Sequence, residues 1–290
     1  MCPLIRILIF TVTLLTLISC SSRLFTSDRL GKLKHEQLKE ISGIAASRYN
    51  SGFLWAHNDS GGKPEVYLLN EALELKMVCR LKNAICYDWE DMAIGSGPEP
   101  GKSYIYIGDI GDNSRKRLYK TIYRFEEPVF KQTVKTDTVV ISQFDKIVFR
   151  LEDGCKDMEA LMVDNEASNI FLFSKRERVT SLYQLDIRIA NDTLIAKRIG
   201  SLSIKRIVGA DLAGNGKEMV VKNYGHIYYW NNIEQLPLDK LVLEKPVRIR
   251  YRHEPQGEAI AWAFNQRGFY TLSERPLGLP SFLYYYYYNE

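Results

Sequence analysis

The chain has 290 residues, with 39 Lys and Arg against 35 Asp and Glu, a formal net charge of +4. That excess is too small for the electrostatic footprint of a nucleic-acid binder, and no such motif is present, so a nucleic-acid partner is not expected. Eighteen Tyr and the lack of long helical periodicity point to an all-β fold in one large domain.

In chain order, the first element is a leader rather than part of the fold. MCPLIR precedes an unbroken run of apolar residues and Thr, Ile7–Ile18, shorter than the ~20 residues of a membrane-spanning helix. It ends in LISC, with Cys20 directly after the small Ser19. This order resembles the bacterial lipoprotein signal, in which the chain is cut before the cysteine and the cysteine is lipidated. The resemblance implies a signal peptide over 1–19, a lipidated tether over 20–27 and a domain over 28–290. That domain would be anchored in the bacterial cell envelope, on the periplasmic or outer face of the outer membrane. Cys2 and Cys20 then leave the fold, and Cys79, Cys86 and Cys155 remain. An odd count excludes a complete disulfide framework and leaves free thiols, or one bridge from Cys86 to Cys79 or Cys155.

Five later segments share one shape, an acidic or small start running into apolar residues: EISGIAAS (40–47), WEDMAIG (89–95), DMEALMVD (157–164), VGADLAG (208–214) and QGEAIAW (256–262). Aligning Ile44, Met92, Leu161, Leu212 and Ile260 gives a period of roughly fifty residues, longest between Met92 and Leu161. Each segment leads into a second and a third strand-like run, as FLWAHND and EVYLLN do in the first unit. A more polar, edge-like run follows, such as LELKMVCRL, TDTVVISQF or LVLEKPVRI. Four strands per unit at this period predict a five-bladed β-propeller. The long interval admits a sixth blade, but it also fits one blade with extended loops at GSGPEPGKS and QFDKIVFRLEDG. The last unit stops at its third strand, so DRLGKLKHEQL (28–38) is expected to supply the missing outer strand and close a monomeric ring without open edges.

In such a ring, the starts of the inner strands and the turns between second and third strands gather on one face. Near the axis this collects Ser42, Asp88, Glu90, Asp91, Asp157, Glu159, Asp211 and Glu258. Glu90, Glu159 and Glu258 share one repeat position with Ser42 and Ala210. Like charges ~4 Å apart repel by ~4 kcal/mol at an effective dielectric of ~20, so either the carboxyl pKa values rise or a cation lies between them. Oxygen-only ligands favour a hard ion, Ca2+ before Mg2+; the other reading is a wet channel that binds nothing in particular. The turn GDIGDN presents Asp109, Asp112 and Asn113, and Asn58 lies in HNDSGG. Arg115, Lys175, Lys222 and Arg275 suit an anionic small molecule or a glycan, or are simply solvated. His57 is a candidate general base, with Asp59 and Asp112 as candidates for positioning water.

The order Ser, Glu, Glu, a fourth residue and Glu on the inner strands resembles the soluble calcium-activated nucleotidases, the apyrase family, over residues 28–290. The resemblance implies a central Ca2+ held by Ser42, Glu90, Glu159 and Glu258, and hydrolysis of nucleoside di- or triphosphates on the same face. The sequence departs from the family at Ala210, where the family has Ser, and at Ser60, where an Arg is expected to hold phosphate. The wider pattern of HNDSG, DWEDMA and GDIGDN is similar to exported bacterial proteins of unassigned function and implies no activity. Two functions therefore compete. One is a lipid-anchored propeller presenting its polar face to a ligand or partner; the other is a Ca2+-dependent hydrolase of phosphate-containing substrates. The missing Arg favours binding.

Overall fold

The computed structural model describes residues 24–131, 136–164, 166, 168–189, 192–231 and 238–289; the expected signal peptide and Cys20 lie outside them. The chain runs β1 (Phe25–Lys32), β2 (Ile41–Ala46), β3 (Phe53–Asn58), β4 (Glu65–Asn70), β5 (Leu75–Leu81), β6 (Trp89–Gly95), β7 (Tyr104–Asp109), β8 (Lys120–Glu126), β9 (Asp137–Ile141) and β10 (Asp145–Leu151). It continues through β11 (Met158–Val163), β12 (Asn169–Ser174), β13 (Thr180–Asp186), β14 (Leu194–Leu202), β15 (Ile207–Leu212), β16 (Glu218–Asn223) and β17 (Ile227–Asn231). A short helix α1 (Leu238–Leu241) precedes β18 (Val247–Ile249), β19 (Ala259–Trp262), β20 (Gly268–Leu272) and β21 (Phe282–Tyr288).

The sheets are ordered β2-β3-β4-β5-β9, β6-β7-β8-β10-β14-β13-β12-β11, β15-β16-β17-β18 and β19-β20-β21-β1. The eight-stranded sheet is two antiparallel halves joined by a parallel pairing of β10 with β14. The first strand of each unit contacts the next in a cycle: β2 with β6, β6 with β11, β11 with β15, β15 with β19 and β19 with β2. The fold is all-β and propeller-like. Its innermost strands are rich in Ala, and β2, β11 and β19 are buried at every position. Small side chains let these backbones crowd together, while larger residues fill clusters between neighbouring units, such as Trp55, Trp89 and Tyr123 between the first two.

Three sequence expectations change. Strand β1 pairs antiparallel with β21 from Phe25↔Tyr288 to Lys32↔Phe282, so the closing strand starts inside the segment expected as tether. TDTVVISQF does not finish its own unit: β9 crosses to pair in parallel with β5. QFDKIVFRLEDG, expected as an extended loop, holds β10, which pairs with β8 instead. An alternating segment specifies a strand but not the edge it joins. Cys79, Cys86 and Cys155 are free thiols.

In four units the pairing of first and second strands slips at one place. Ser42, Glu90, Glu159 and Val208 are left unpaired there, each one residue after Ile41, Trp89, Met158 and Ile207. Such a β-bulge re-aims a side chain at the end of a strand. It also corrects the fourth unit: Ala210 pairs with Val221 as Met92 pairs with Ile107, so Val208, not Ala210, matches Glu90 and Glu159. A two-residue slip preserves the in–out alternation, so the sequence pattern does not expose it.

Two of the acids near the axis clasp inner strands together. Asp91 accepts the N–H groups of Met92 at 2.8 Å and Leu161 at 3.0 Å. Asp211 accepts those of Leu212 at 2.9 Å and Trp262 at 2.7 Å. Burial pushes the Asp211 carboxyl from its ordinary 3.8 up to about 7, against the pull of those two donors. Between these values the folded chain holds a proton that the unfolded chain releases, so this group's contribution to stability falls as pH rises through the window. Urea unfolding of the wild type and Asp211→Asn should therefore show the wild type's advantage shrinking from pH 4.5 to pH 7.5. An advantage that grows with pH would contradict the assignment.

Candidate functional site

The bulges bring Glu90 and Glu159 to one end of the inner strands, both buried. Asp88 and Asp157 precede β6 and β11 in the same stretches, and Asp59 follows β3. They form two triads that share Glu90, Asp59–Asp88–Glu90 and Glu90–Asp157–Glu159, in each of which one oxygen from every carboxylate lies within 4.8 Å of the others. The GDIGDN turn closes over them at Gly111, where a Cβ would lie 2.1 Å from Glu90 Oε1 and 2.4 Å from Asp88 Oδ2. Only glycine permits that approach.

The crowding raises proton affinity. Burial, then Glu159, push the Glu90 carboxyl well up. Burial also raises Glu159, although Lys175 opposes it. Asp59 is pushed up to about 6 by burial, with Glu258 and Asp88 adding to the shift. Glu274 rises to about 8 by burial, then through Glu258 and Asp59. Two cations answer this charge. Lys175 Nζ lies 2.6 Å from Glu159 Oε2 and 3.8 Å from Glu258 Oε1, and Arg176 Nε lies 2.5 Å from Asp157 Oδ2. Burial works against the Lys175 charge, but Glu159 and Glu258 outweigh it and raise its pKa. Tyr224 donates its hydroxyl to Glu258.

The other sequence candidates divide clearly. Ser42 Oγ donates to the Trp89 carbonyl at 3.2 Å, a tie between the first two units, and Glu258 stands outside both triads. Asp109 accepts from Arg117 at 2.6 Å and from the Tyr87 and Asp88 N–H groups. Asp112 accepts the N–H groups of Lys116 and Arg117, both at 2.8 Å, and its own N–H donates to Asp157 Oδ1 at 2.7 Å. Both aspartates therefore shape the turn, while Asn113 accepts from Arg176. Asn58 donates to the Gln37 carbonyl at 2.6 Å. His57 is fully buried, edge-on to Trp89, with Nδ1 2.8 Å from the Asn58 carbonyl. Its ring fills the space over Gly43, where a Cβ would lie 2.3 Å from Nε2. Burial pulls its pKa down to about 4, so it is neutral and packed rather than facing water.

Lys222 is also buried, paired with Glu254 at 2.8 Å, and Arg275 reaches Glu36 at 3.4 Å on the rim. Arg115 and Lys175, by contrast, line a cleft of about 570 Å³ with Arg176, Arg178, Lys205 and Arg206 and one acid, Glu177. Tyr224 also lines this cleft, so it and Lys175 join the cleft to the acid centre. Sequence reasoning missed Tyr224, Glu254 and Glu274 as partners. Nothing in their local sequence marks them, because each meets a residue from a distant segment.

No family model matches the chain, and no curated protein matches it in sequence. Among solved structures, a luciferin-regenerating enzyme is similar at 11% identity over 91% of this chain and 95% of that chain, with a TM-score of 0.48.

Lys175 is the cation on which the acid centre leans most. Lys175→Met should lower stability at pH 9 by ~3 kcal/mol, the scale for removing one partner of a buried ion pair. The loss should shrink at pH 6.5, because burial pushes the Glu159 carboxyl up to about 8 and it holds a proton below that pH. Denaturant melts at the two pH values measure it, and a loss independent of pH would contradict the charge argument.

Proposed function

We propose that the chain is a five-bladed β-propeller of the bacterial cell envelope, lipid-anchored at Cys20, that binds a calcium ion at its acid centre and an anionic ligand beside it. The five-strand inner cycle and the hydrophobic clusters between successive units support the blade count. LISC supports the anchor. No helix among the described residues is long and apolar enough to cross a membrane.

The observation that carries the metal reading is Glu90 standing in two carboxylate triads at once. A donor set made only of oxygens fits a hard ion that takes six to eight oxygen ligands. Softer donors are turned elsewhere: the Cys86 thiol faces the Asp59 carbonyl, and His57 is packed under the first strand. Asp59, Asp88, Glu90, Asp157 and Glu159 would hold the ion, while Ser42 and Glu258 support the surrounding structure. A calcium ion at Glu159 takes over the charge that Lys175 neutralises and frees its ammonium for an anion in the basic cleft. Metal and anion binding are then coupled.

A second reading, calcium-dependent hydrolysis of a phosphate-containing substrate, draws on the same juxtaposition. Asp59 is half-buried at the rim of its triad, suited to orient a water beside the ion; His57 and Asp112 are withdrawn from that role. Binding is the better-supported reading, because no base is free of competing carboxylates.

The two separate in one assay of a phosphate-monoester and nucleotide panel with calcium or chelator. The binding reading expects saturable anion binding strengthened about tenfold by calcium, a coupling of ~1.4 kcal/mol, without turnover. Calcium-dependent turnover lost in Glu159→Gln would establish the hydrolase instead. Neither binding nor turnover with any member of the panel would contradict both.

A further inference from the structure

The outer edge where β1 closes the last sheet carries a surface that the acid centre does not use. Phe25, the first residue of β1, lies five residues after Cys20. An extended chain spans at most ~3.6 Å per residue, so a lipid on Cys20 would keep the start of β1 within ~20 Å of the bilayer; this step rests on the anchor reading above. Alongside runs KPVRIRYRH (245–253), with Lys245, Arg248, Arg250 and Arg252 exposed and no acid among them.

Its alternation is that of an edge strand. Ile249 is buried and Tyr251 packs against the same core cluster, which leaves the arginines on the outward face. β18 is the outermost strand of its sheet. The run then crosses to β1, where Arg252 Nε donates to Ser27 Oγ at 3.0 Å. A groove of about 430 Å³ lies between Phe25–Ser27 and Arg250–Arg252. β1 adds exposed Arg29 and Lys32 beside one exposed acid, Asp28, and Leu24 and Leu30 are exposed near them.

Charge on an edge strand also guards against edge-to-edge pairing, but that purpose is served by either sign and does not call for exposed leucines. The outer strand β9 carries no basic residue at all. A surface on which Arg29, Lys32, Lys245, Arg248, Arg250 and Arg252 outnumber the exposed acids Asp28 and Glu244, flanked by apolar side chains and held near a lipid, matches an anionic bilayer.

We propose that this edge rests on the membrane, with the arginines of the 245–253 run and β1 on anionic phospholipid headgroups and Leu24 and Leu30 at the interface. The ring then stands on its edge, and the acid centre faces along the surface, open to ligands from the side.

The test uses the processed full chain in phosphatidylcholine vesicles with and without phosphatidylglycerol, reading amide hydrogen exchange in β1 and β18. Exchange should slow severalfold only with phosphatidylglycerol. That slowing should vanish in the Arg248→Glu/Arg250→Glu variant and, for the unmutated chain, in high salt. Equal rates in both vesicles, or protection that survives charge reversal and salt, would overturn the proposal.

The intact mass of the processed chain reports separately whether Cys20 carries a lipid. If it does not, the anchor reading fails, and the edge is tested by adding the chain to vesicles from solution. Phosphatidylglycerol-dependent binding weakened about thirtyfold by the same variant would support the edge, from two basic residues at ~1 kcal/mol each near the surface. Binding indifferent to phosphatidylglycerol, including capture by an anionic polysaccharide alone, would overturn it.

Discussion

A β-bulge leaves one residue without a partner across the ladder and bends its strand. Here it recurs near the start of the innermost strands, at Ser42, Glu90, Glu159 and Val208, so two successive units deliver a carboxylate to the same end of the ring. The remaining features of that face answer the charge so gathered. Gly111 lets a turn press down on Glu90 and Asp88, Lys175 and Arg176 come inward against Glu159 and Asp157, and the carboxyl groups hold protons more tightly than they do in water.

The acids of the inner strands and their turns fall into two classes by what they face. Asp91, Asp211 and Asp112 each accept two backbone N–H groups. Glu127 does similar work between the first two units, taking the Trp55 indole N–H at 3.0 Å and the Arg48 N–H at 3.1 Å. These carboxylates are structural, satisfied by donors that never leave. Asp59, Asp88, Glu90, Asp157 and Glu159 instead face one another. Carboxylates in that arrangement are balanced by protons, by cations on side chains or by a metal ion, and the first two are already in use.

Much of the fold was legible in the sequence, because a buried inner strand is a short apolar run and the acids that open it repeat with it. The first strands at 41–46, 89–95 and 158–163 fall where those runs do. The fourth unit was misaligned by two residues because a period-two pattern looks the same after that slip, and so Ala210 was matched in place of Val208. β9 was placed in the wrong sheet because pairing partners are chosen by edges that no local pattern encodes. The roles of His57 and Lys222 were hidden for a related reason. A histidine over Gly43 and a lysine against Glu254 are packing relations between distant segments, and from sequence alone each looks like a polar group at a strand end.

The claim that a divalent cation completes the acid centre is tested most directly by a thermal melt of the metal-stripped chain titrated with calcium, beside Glu90→Gln. The account predicts a saturable rise in Tm that is lost in the variant, because Glu90 belongs to both triads and binding to the folded state alone stabilises by mass action. A Tm indifferent to calcium in the unmutated chain, or a rise of equal size in Glu90→Gln, would contradict it.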